Sequence, residues 1–422
     1  MSKFSKLMKN PSLFFSDFFA KKAGKAVAAK KPSSAPASDK KDLDISKINP
    51  YKKITHILHT GEGMTHGPSH LNMWIPHFLK NGDDFIVLVR NRALFDWVKS
   101  NYSYIGVAFA RRPVDVEDLL MHLAHVKAFY YLSNTGNLIH SLRYNNYKHV
   151  FLGHGDSDKA ASAHKFFRVY DEIWVAGQAH IDRFENSNFQ TNHIKFVKVG
   201  RPNMIDVLNA SKSHWKSRFS NTRVLYLPTW EGVYEENNYS SARLSVVMLS
   251  ELQKKFNTHI SMKFHPVTGS RNPVLKDVDT RVSEALTELG ASFHVAAKTD
   301  DLSDLIMNAN VFICDISAVV SECIAANGPI FVYIPADKEI VKSNSNMDYE
   351  DYAYVFSSMD ELFKLFERVI VDGDDYLAEA RFNARNYLLS VEETQSGKFL
   401  QELKNVSEED ASYVMTREEV IQ

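Results

Sequence analysis

Five short stretches combine residues able to move a proton or grip a phosphate with glycines or prolines that would expose them, and each follows a run of strand-forming residues. In Phe151-Leu152-Gly153-His154-Gly155-Asp156-Ser157-Asp158-Lys159 a histidine stands between two glycines, so the backbone can turn there and approach a ligand closely. His154 would face a cleft, and Lys159 would meet phosphate as a compact cation. In Met262-Lys263-Phe264-His265-Pro266, strand alternation points Lys263 and His265 the same way, an arrangement suited to a pyrophosphate. A third stretch runs from Val311 to Glu322: the strand ends at Asp315, Ser317 is expected to cap the next helix, and the first amides, with that of Ala318, would form an anion site. Glu322 lies about a turn further on, within reach of ribose hydroxyls. Tyr226-Leu227-Pro228-Thr229-Trp230-Glu231-Gly232 offers the Thr229 hydroxyl. The fifth, His59-Thr60-Gly61-Glu62-Gly63-Met64-Thr65-His66-Gly67, lacks both the GxGxxG spacing and a Walker lysine; Glu62 and His66 are candidates on the acceptor side. Each has a plainer alternative, since a lone histidine is usually structural and capped helices are common in α/β proteins.

Something must hold these groups at strand ends. From Tyr51 onward short apolar runs alternate with amphipathic stretches. The pattern predicts strands at Ile54–His59, Phe85–Arg90, Ile105–Phe109, Ala128–Leu132, His149–Leu152, Glu172–Val175 and Lys195–Val199, with helices between them such as Ser69–Asn81 and Thr135–Tyr144. A second series predicts strands at Arg223–Leu227, Ile260–Phe264, Ser292–Val295, Val311–Cys314 and Ile330–Ile334. Its helices fall at Ala242–Phe256, Arg281–Leu289, Leu302–Ala309, Ala318–Asn327 and Met359–Val371, with a helical tail from about Asp375. Strand–helix alternation implies parallel sheets covered on both faces, and ligands bind beyond the carboxyl ends of such strands. The expected fold is α/β, two doubly wound Rossmann-like domains of GT-B type with a cleft between them.

The 422 residues exceed what one core usually holds. The expected organisation is a basic amphipathic membrane-association segment (1–31), a linker (32–50), an acceptor-side domain (51–205), a donor-nucleotide domain (206–372) and a C-terminal helical segment (373–422). Residues 1–31 carry eight lysines against one acid, Asp17, with Leu7, Leu13, Phe14, Phe15, Phe18 and Phe19 interleaved, a pattern suited to an anionic membrane face. The start has no continuous apolar run of a secretory signal. The most apolar long window, Val311–Ile334, contains Asp315, Glu322 and Pro329 and is a poor membrane span. A net charge of -1 gives no argument for nucleic acid as a partner. The two cysteines, Cys314 and Cys323, exclude a disulfide framework and read as core residues of a protein in a reducing compartment. No zinc-type spacing is present. Asp156-Ser157-Asp158 reads as a solvated turn, so no metal is assigned and the divalent-cation requirement stays open. The acidic group Asp372, Asp374 and Asp375 also reads as a solvated loop.

Taken in order, these motifs resemble those of the CDP-glycerol:poly(glycerophosphate) glycerophosphotransferases, the enzymes of teichoic-acid-type polymers, over roughly Lys148–Leu362. The resemblance rests on His154, Gly155 and Lys159 in a His-Gly-x-x-x-Lys pattern, on Pro228-Thr229-Trp230, and on Lys263 two residues before His265. It continues through the acidic helix from Asp301 to Ile306, Asp315-Ile316-Ser317-Ala318, Glu322, and Pro329-Ile330-Phe331-Val332-Tyr333. The chain departs from the family pattern at Ile316 and Ala318, where Tyr and Ser are usual, and at Glu231, where a basic residue is usual. The start, Leu7–Lys22, looks like that of capsule transferases.

The resemblance implies CDP-glycerol as donor and no certain cofactor. The pyrophosphate would lie against Ser317 and Ala318 beside Thr229, Lys263, Gly155 and Lys159, with Asp315 and Glu322 holding the ribose or the loop. An acceptor hydroxyl on a polysaccharide or lipid carrier would attack the phosphorus next to glycerol and release CMP. His154 would activate that hydroxyl and His265 would assist the leaving phosphate. The enzyme would work in capsule or teichoic-acid-like polymer synthesis, in the cytoplasm at the inner face of the cell membrane. Two other readings stand beside it: a GT-B glycosyltransferase using a nucleotide sugar, and a non-catalytic scaffold of a capsule-assembly complex.

Overall fold

Runs such as Phe85-Ile86-Val87-Leu88-Val89 and Val311-Phe312-Ile313-Cys314-Asp315 are apolar on both faces, and they fold as fully buried strands of parallel sheets. The computed structural model describes residues 43–46, 53–82, 84–155, 163–338 and 345–409. The segment 1–31, Lys159 and the Asp156-Ser157-Asp158 pair lie outside them.

The first lobe is built on strands β1 (Leu43–Ser46), β2 (His56–Thr60), β3 (Phe85–Val89), β4 (Gly106–Ala110), β5 (Ala128–Tyr131), β6 (Lys148–Phe151), β7 (Glu172–Val175) and β8 (Lys195–Lys198). Their order is β1-β4-β3-β2-β5-β6-β7-β8; β1 is antiparallel to β4 and the other pairs are parallel. The second lobe is built on β9 (Arg223–Leu227), β10 (His259–Met262), β11 (Phe293–Val295), β12 (Val311–Asp315), β13 (Ile330–Tyr333) and β14 (Tyr354–Phe356), in the order β11-β10-β9-β12-β13-β14, all parallel. The fold is α/β and GT-B-like. In each sheet the strand order reverses beside the first parallel strand, between β2 and β5 and between β9 and β12. Such switch points are where doubly wound sheets open a crevice.

Three local expectations change. β1 lies within the stretch read as a linker, and β14 was not foreseen; both are short edge strands with little apolar pattern of their own. The helix expected over Ala318–Asn327 is a five-residue α-helix, Val319–Cys323, continued by a 3-10 turn, Ile324–Ala326, and ended by Asn327 in the left-handed conformation. The C-terminal stretch is divided between the lobes. Ala384, Leu388 and Leu389 of helix Ala378–Leu389 enter the second lobe's core, whereas Phe399, Leu403 and Val406 of helix Lys398–Glu408 enter the first lobe's core beside Trp74 and Phe78.

The chain passes between the lobes at 199–202 and returns near 390–395, and the two passages touch. The Arg201 amide donates to Thr394 Oγ1 at 2.9 Å. Gly200 has φ +74, and a Cβ there would lie 1.9 Å from that hydroxyl, so only glycine fits. Asp375 is no solvated loop residue: it accepts from Arg381, Tyr354 and Trp215, and Arg381 lowers its carboxyl below the usual range against the opposing effect of burial. Cys314 and Cys323 are both fully buried. Among the described residues no helix is long and apolar enough to cross a membrane.

Candidate active site

After β6 the chain turns at Gly153 (φ +66), and the Trp74 indole fixes the turn by donating Nε1–H to the Gly153 carbonyl at 2.7 Å. His154 is thereby placed at the end of β6, where its Nδ1 lies 2.9 Å from the Leu132 carbonyl beyond β5. A carbonyl only accepts, so Nδ1 carries the proton and the neutral ring presents the Nε2 lone pair. The His154 side chain is exposed at the strand end. The surrounding protein holds its pKa below the usual value, Arg201 and His66 push the same way, and the Leu132 bond and Glu62 oppose them.

Helix Gly67–Asn81 supplies the neighbours. His66 is its N-cap residue, and His70 and Trp74 follow at four-residue spacing, so the three share one face. The buried His70 ring stacks on His154, with centroids 3.8 Å apart and planes 14° apart. His66 lies 6.1 Å from His70 and 6.2 Å from His265 of the second lobe, whose ring stacks near Trp230 at 6.2 Å and 22°. A row of imidazoles therefore crosses from one lobe to the other. His265 Nδ1 accepts a long 3.4 Å hydrogen bond from the Val267 amide. The lobes meet again at Gly155, where φ is +148 and a Cβ would come 3.0 Å from the Ala318 Cβ. The half-buried Glu62 follows β2, its amide held by Thr60 Oγ1 at 3.2 Å.

The site thus brings together His154, Gly155, Glu62, His66, His265 and Ala318. Other expected ligands are engaged elsewhere. The Lys263 ammonium donates to the carbonyls of Ala297 (2.7 Å), Lys298 (3.1 Å) and Asp300 (2.9 Å) and clamps the loop after β11. Asp315 is fully buried, and its Oδ2 accepts from the amides of Thr229 (2.7 Å) and Ser241 (3.0 Å), so it holds the loop. Thr229 is buried and tied on both sides, its carbonyl accepting from Ser240 at 2.7 Å. Ser317 does not cap the helix: its hydroxyl turns back to the Asp315 carbonyl at 3.2 Å, and Ala318 takes the cap position without a side-chain bond. Glu322 is 3% exposed, which leaves little carboxylate for ribose. Among the described residues no group of three or more His, Cys, Asp or Glu is placed to hold a metal ion.

Sequence reasoning missed His70, Trp74 and the purpose of Glu231. The first two were visible as His66-x-x-x-His70-x-x-x-Trp74, the spacing of one helix face. Glu231, where the family has a basic residue, is buried and accepts from the amides of Gly269 (2.9 Å) and Asn272 (3.1 Å), organising the loop that follows His265.

Comparison with solved structures gives the same architecture. The wall teichoic acid polymerase TagF aligns with a TM-score of 0.56 at 14% identity, covering 85% of this chain and 90% of that one. A variant of TagF soaked with CDPG aligns at 0.56 and 13%, covering 89% and 91%. A glycosyltransferase from Rickettsia africae aligns at 0.50 and 12%, covering 85% of this chain and all of that one. No curated protein matches the chain. The family model for CDP-glycerol:poly(glycerophosphate) glycerophosphotransferase matches residues 136–402, a span that takes in His154, both passages between the lobes, the whole second sheet and His265. With more than half of its length in that match, the chain belongs to the CDP-glycerol:poly(glycerophosphate) glycerophosphotransferase family.

Proposed function

We propose that the protein transfers glycerol phosphate from CDP-glycerol to a hydroxyl of a polysaccharide or lipid-linked acceptor, with CMP as leaving group. Membership of the family supports the donor. The observation that carries the chemistry is the row of imidazoles that joins His154, whose Nδ1 is engaged by a carbonyl, to His265 of the second lobe through His70 and His66. The acceptor oxygen attacks the phosphorus next to glycerol, its proton passes to His154 Nε2, and the bond from that phosphorus to the CMP oxygen breaks. His265 then meets the charge that grows on the CMP phosphate. Positioning and charge stabilisation supply most of the catalysis in such transfers. Glu62 and His66, at the first lobe's switch point, take the acceptor side, and Gly155 lets the lobes close on the donor.

The lysine-rich segment 1–31 would hold the enzyme at the inner face of the membrane, where a lipid-linked acceptor for a capsule or teichoic-acid-like polymer is presented. The deciding experiment incubates the full chain with CDP-glycerol, CDP-ribitol and common nucleotide sugars, each with a lipid-linked or oligosaccharide acceptor, in the presence and absence of a divalent cation. CMP release from CDP-glycerol with a phosphate-linked product is expected. Turnover of a nucleotide sugar alone would assign the protein to sugar transfer instead, and no turnover at all would favour the scaffold.

A further inference from the structure

His70 belongs to none of the motifs that match the family, yet it makes the closest ring contact in the site. It is buried, and among the described residues its Nδ1 has no hydrogen-bond partner. A core histidine is normally anchored through its ring nitrogens. Here Nδ1 anchors nothing, and the ring is set by its place on the helix and by the face of His154, 3.8 Å away and nearly parallel. The same helix holds the other side of His154 through Trp74 and the Gly153 carbonyl. One rigid element therefore fixes both the turn that carries His154 and the plane of its ring.

We propose that His70 is a positioning residue for the transfer: its ring covers one face of His154 and keeps Nε2 of that residue aimed into the gap between the lobes. The inference rests on the reading of His154 as the base. Covering one face also keeps water off that side of the otherwise exposed ring, which favours its neutral, proton-accepting form. The charged and titratable groups that face His154 among the described residues are Glu62 from the loop after β2, His66 and His70 from the helix and its cap, and Arg201 from the passage between the lobes. Across the gap the uncharged Ala318 meets the neighbouring Gly155, and His265 lies beyond His66. Glu62 favours the charged ring and Arg201 and His66 the neutral one, so water let in by loss of His70 raises the His154 titration toward the ordinary histidine value.

The test compares His70→Ala, His70→Leu and His70→Phe in the full chain. Two readouts are used: the pH profile of kcat/KM with CDP-glycerol, and the NMR titration of the His154 ring, assigned by loss of its signal in His154→Asn. In His70→Ala, kcat is expected to fall about 10–100-fold with little change in donor KM, as when a reacting group is misplaced, and the acid limb and the His154 midpoint should both move to higher pH. His70→Phe, which restores a flat ring, should return both toward the parent. Should the alanine variant fail to fold, the leucine variant, of similar bulk but without a ring, is expected to behave as alanine would. The proposal is overturned if the ring-less variant keeps the parental rate and limb, or if a folded His70→Phe is as impaired as the ring-less one. If CDP-glycerol is not turned over, the functional reading fails, and the NMR titration alone still decides whether His70 governs His154.

Discussion

Both lobes place polar residues at the ends of their central strands and both bury acids, but they differ in buried histidines. In the first lobe His56, His59, His70, His77, His149 and His180 are each less than 9% exposed. No described histidine of the second lobe is covered to that extent; two of its buried acids, Asp315 and Glu231, are tied to backbone amides. Burial holds the rings of His56, His59, His70 and His77 in their neutral form, while a carboxylate that accepts from amides fixes the shape of its loop. Under the proposed mechanism proton movement falls to His154 at the first lobe's edge, and the second lobe gives mainly rigid support, with His265 the exception at the boundary.

The largest effect that would break this division is on turnover. His154→Ala is expected to lower kcat about 10²–10⁴-fold, the usual worth of a general acid or base, with an unchanged circular dichroism spectrum and melting temperature. His265→Ala should lose less if it only assists the leaving group, so a ratio of the two losses near one would equalise the lobes. Next comes stability. Asp315→Asn removes the charge from a fully buried acceptor of two amides and is expected to cost about 1.5–3 kcal/mol in denaturant unfolding, whereas His154→Ala costs little by comparison. An Asp315→Asn chain as stable as the parent would remove the scaffold role given to that strand end.

Acid should act on the lobes unequally. Burial lowers His56 and His77 to about 4 from 6.5, and holds His59 well below the usual range. Their folded pKa lies below the unfolded one, so these rings take up protons on unfolding: stability is whole above pH 6.5 and is lost as pH falls toward 4. Each contributes a slope of about 1.4 kcal/mol per pH unit in that window. Hydrogen exchange followed from pH 7 to 4.5 is expected to show β2 and β5 losing protection before β9 and β12; the reverse order would contradict the contrast. The smallest effect is at Lys263. Because its ammonium clamps the 297–300 loop, Lys263→Met should lower the melting temperature slightly and leave the donor KM nearly unchanged. A large rise in KM would show that the lysine leaves its carbonyls when the donor binds.

The sequence disclosed the sheets because their strands are apolar on both faces: Glu172–Val175 and Arg223–Leu227 fold over the expected residues. Hydropathy could not reveal β1 or β14, which owe their pairing to neighbours. At the site, glycines flanking a strand-end histidine pointed correctly to the place where the lobes meet, because the constraint there is local backbone geometry. The direction of each side chain was not local. Asp315 turns to amides after β9, and Lys263 to carbonyls more than thirty residues away, contacts that residue type and spacing could not disclose.

The return of helix Lys398–Glu408 to the first lobe has a bearing on how the protein is made. Phe399, Leu403 and Val406 fill that lobe's interior, Ser407 meets His56 at 2.7 Å, and Lys127 reaches the Ser407 carbonyl. As the chain leaves the ribosome, the first lobe lacks these groups until the whole second sheet and residues 398–408 have emerged. Its interior stays open on that side until then.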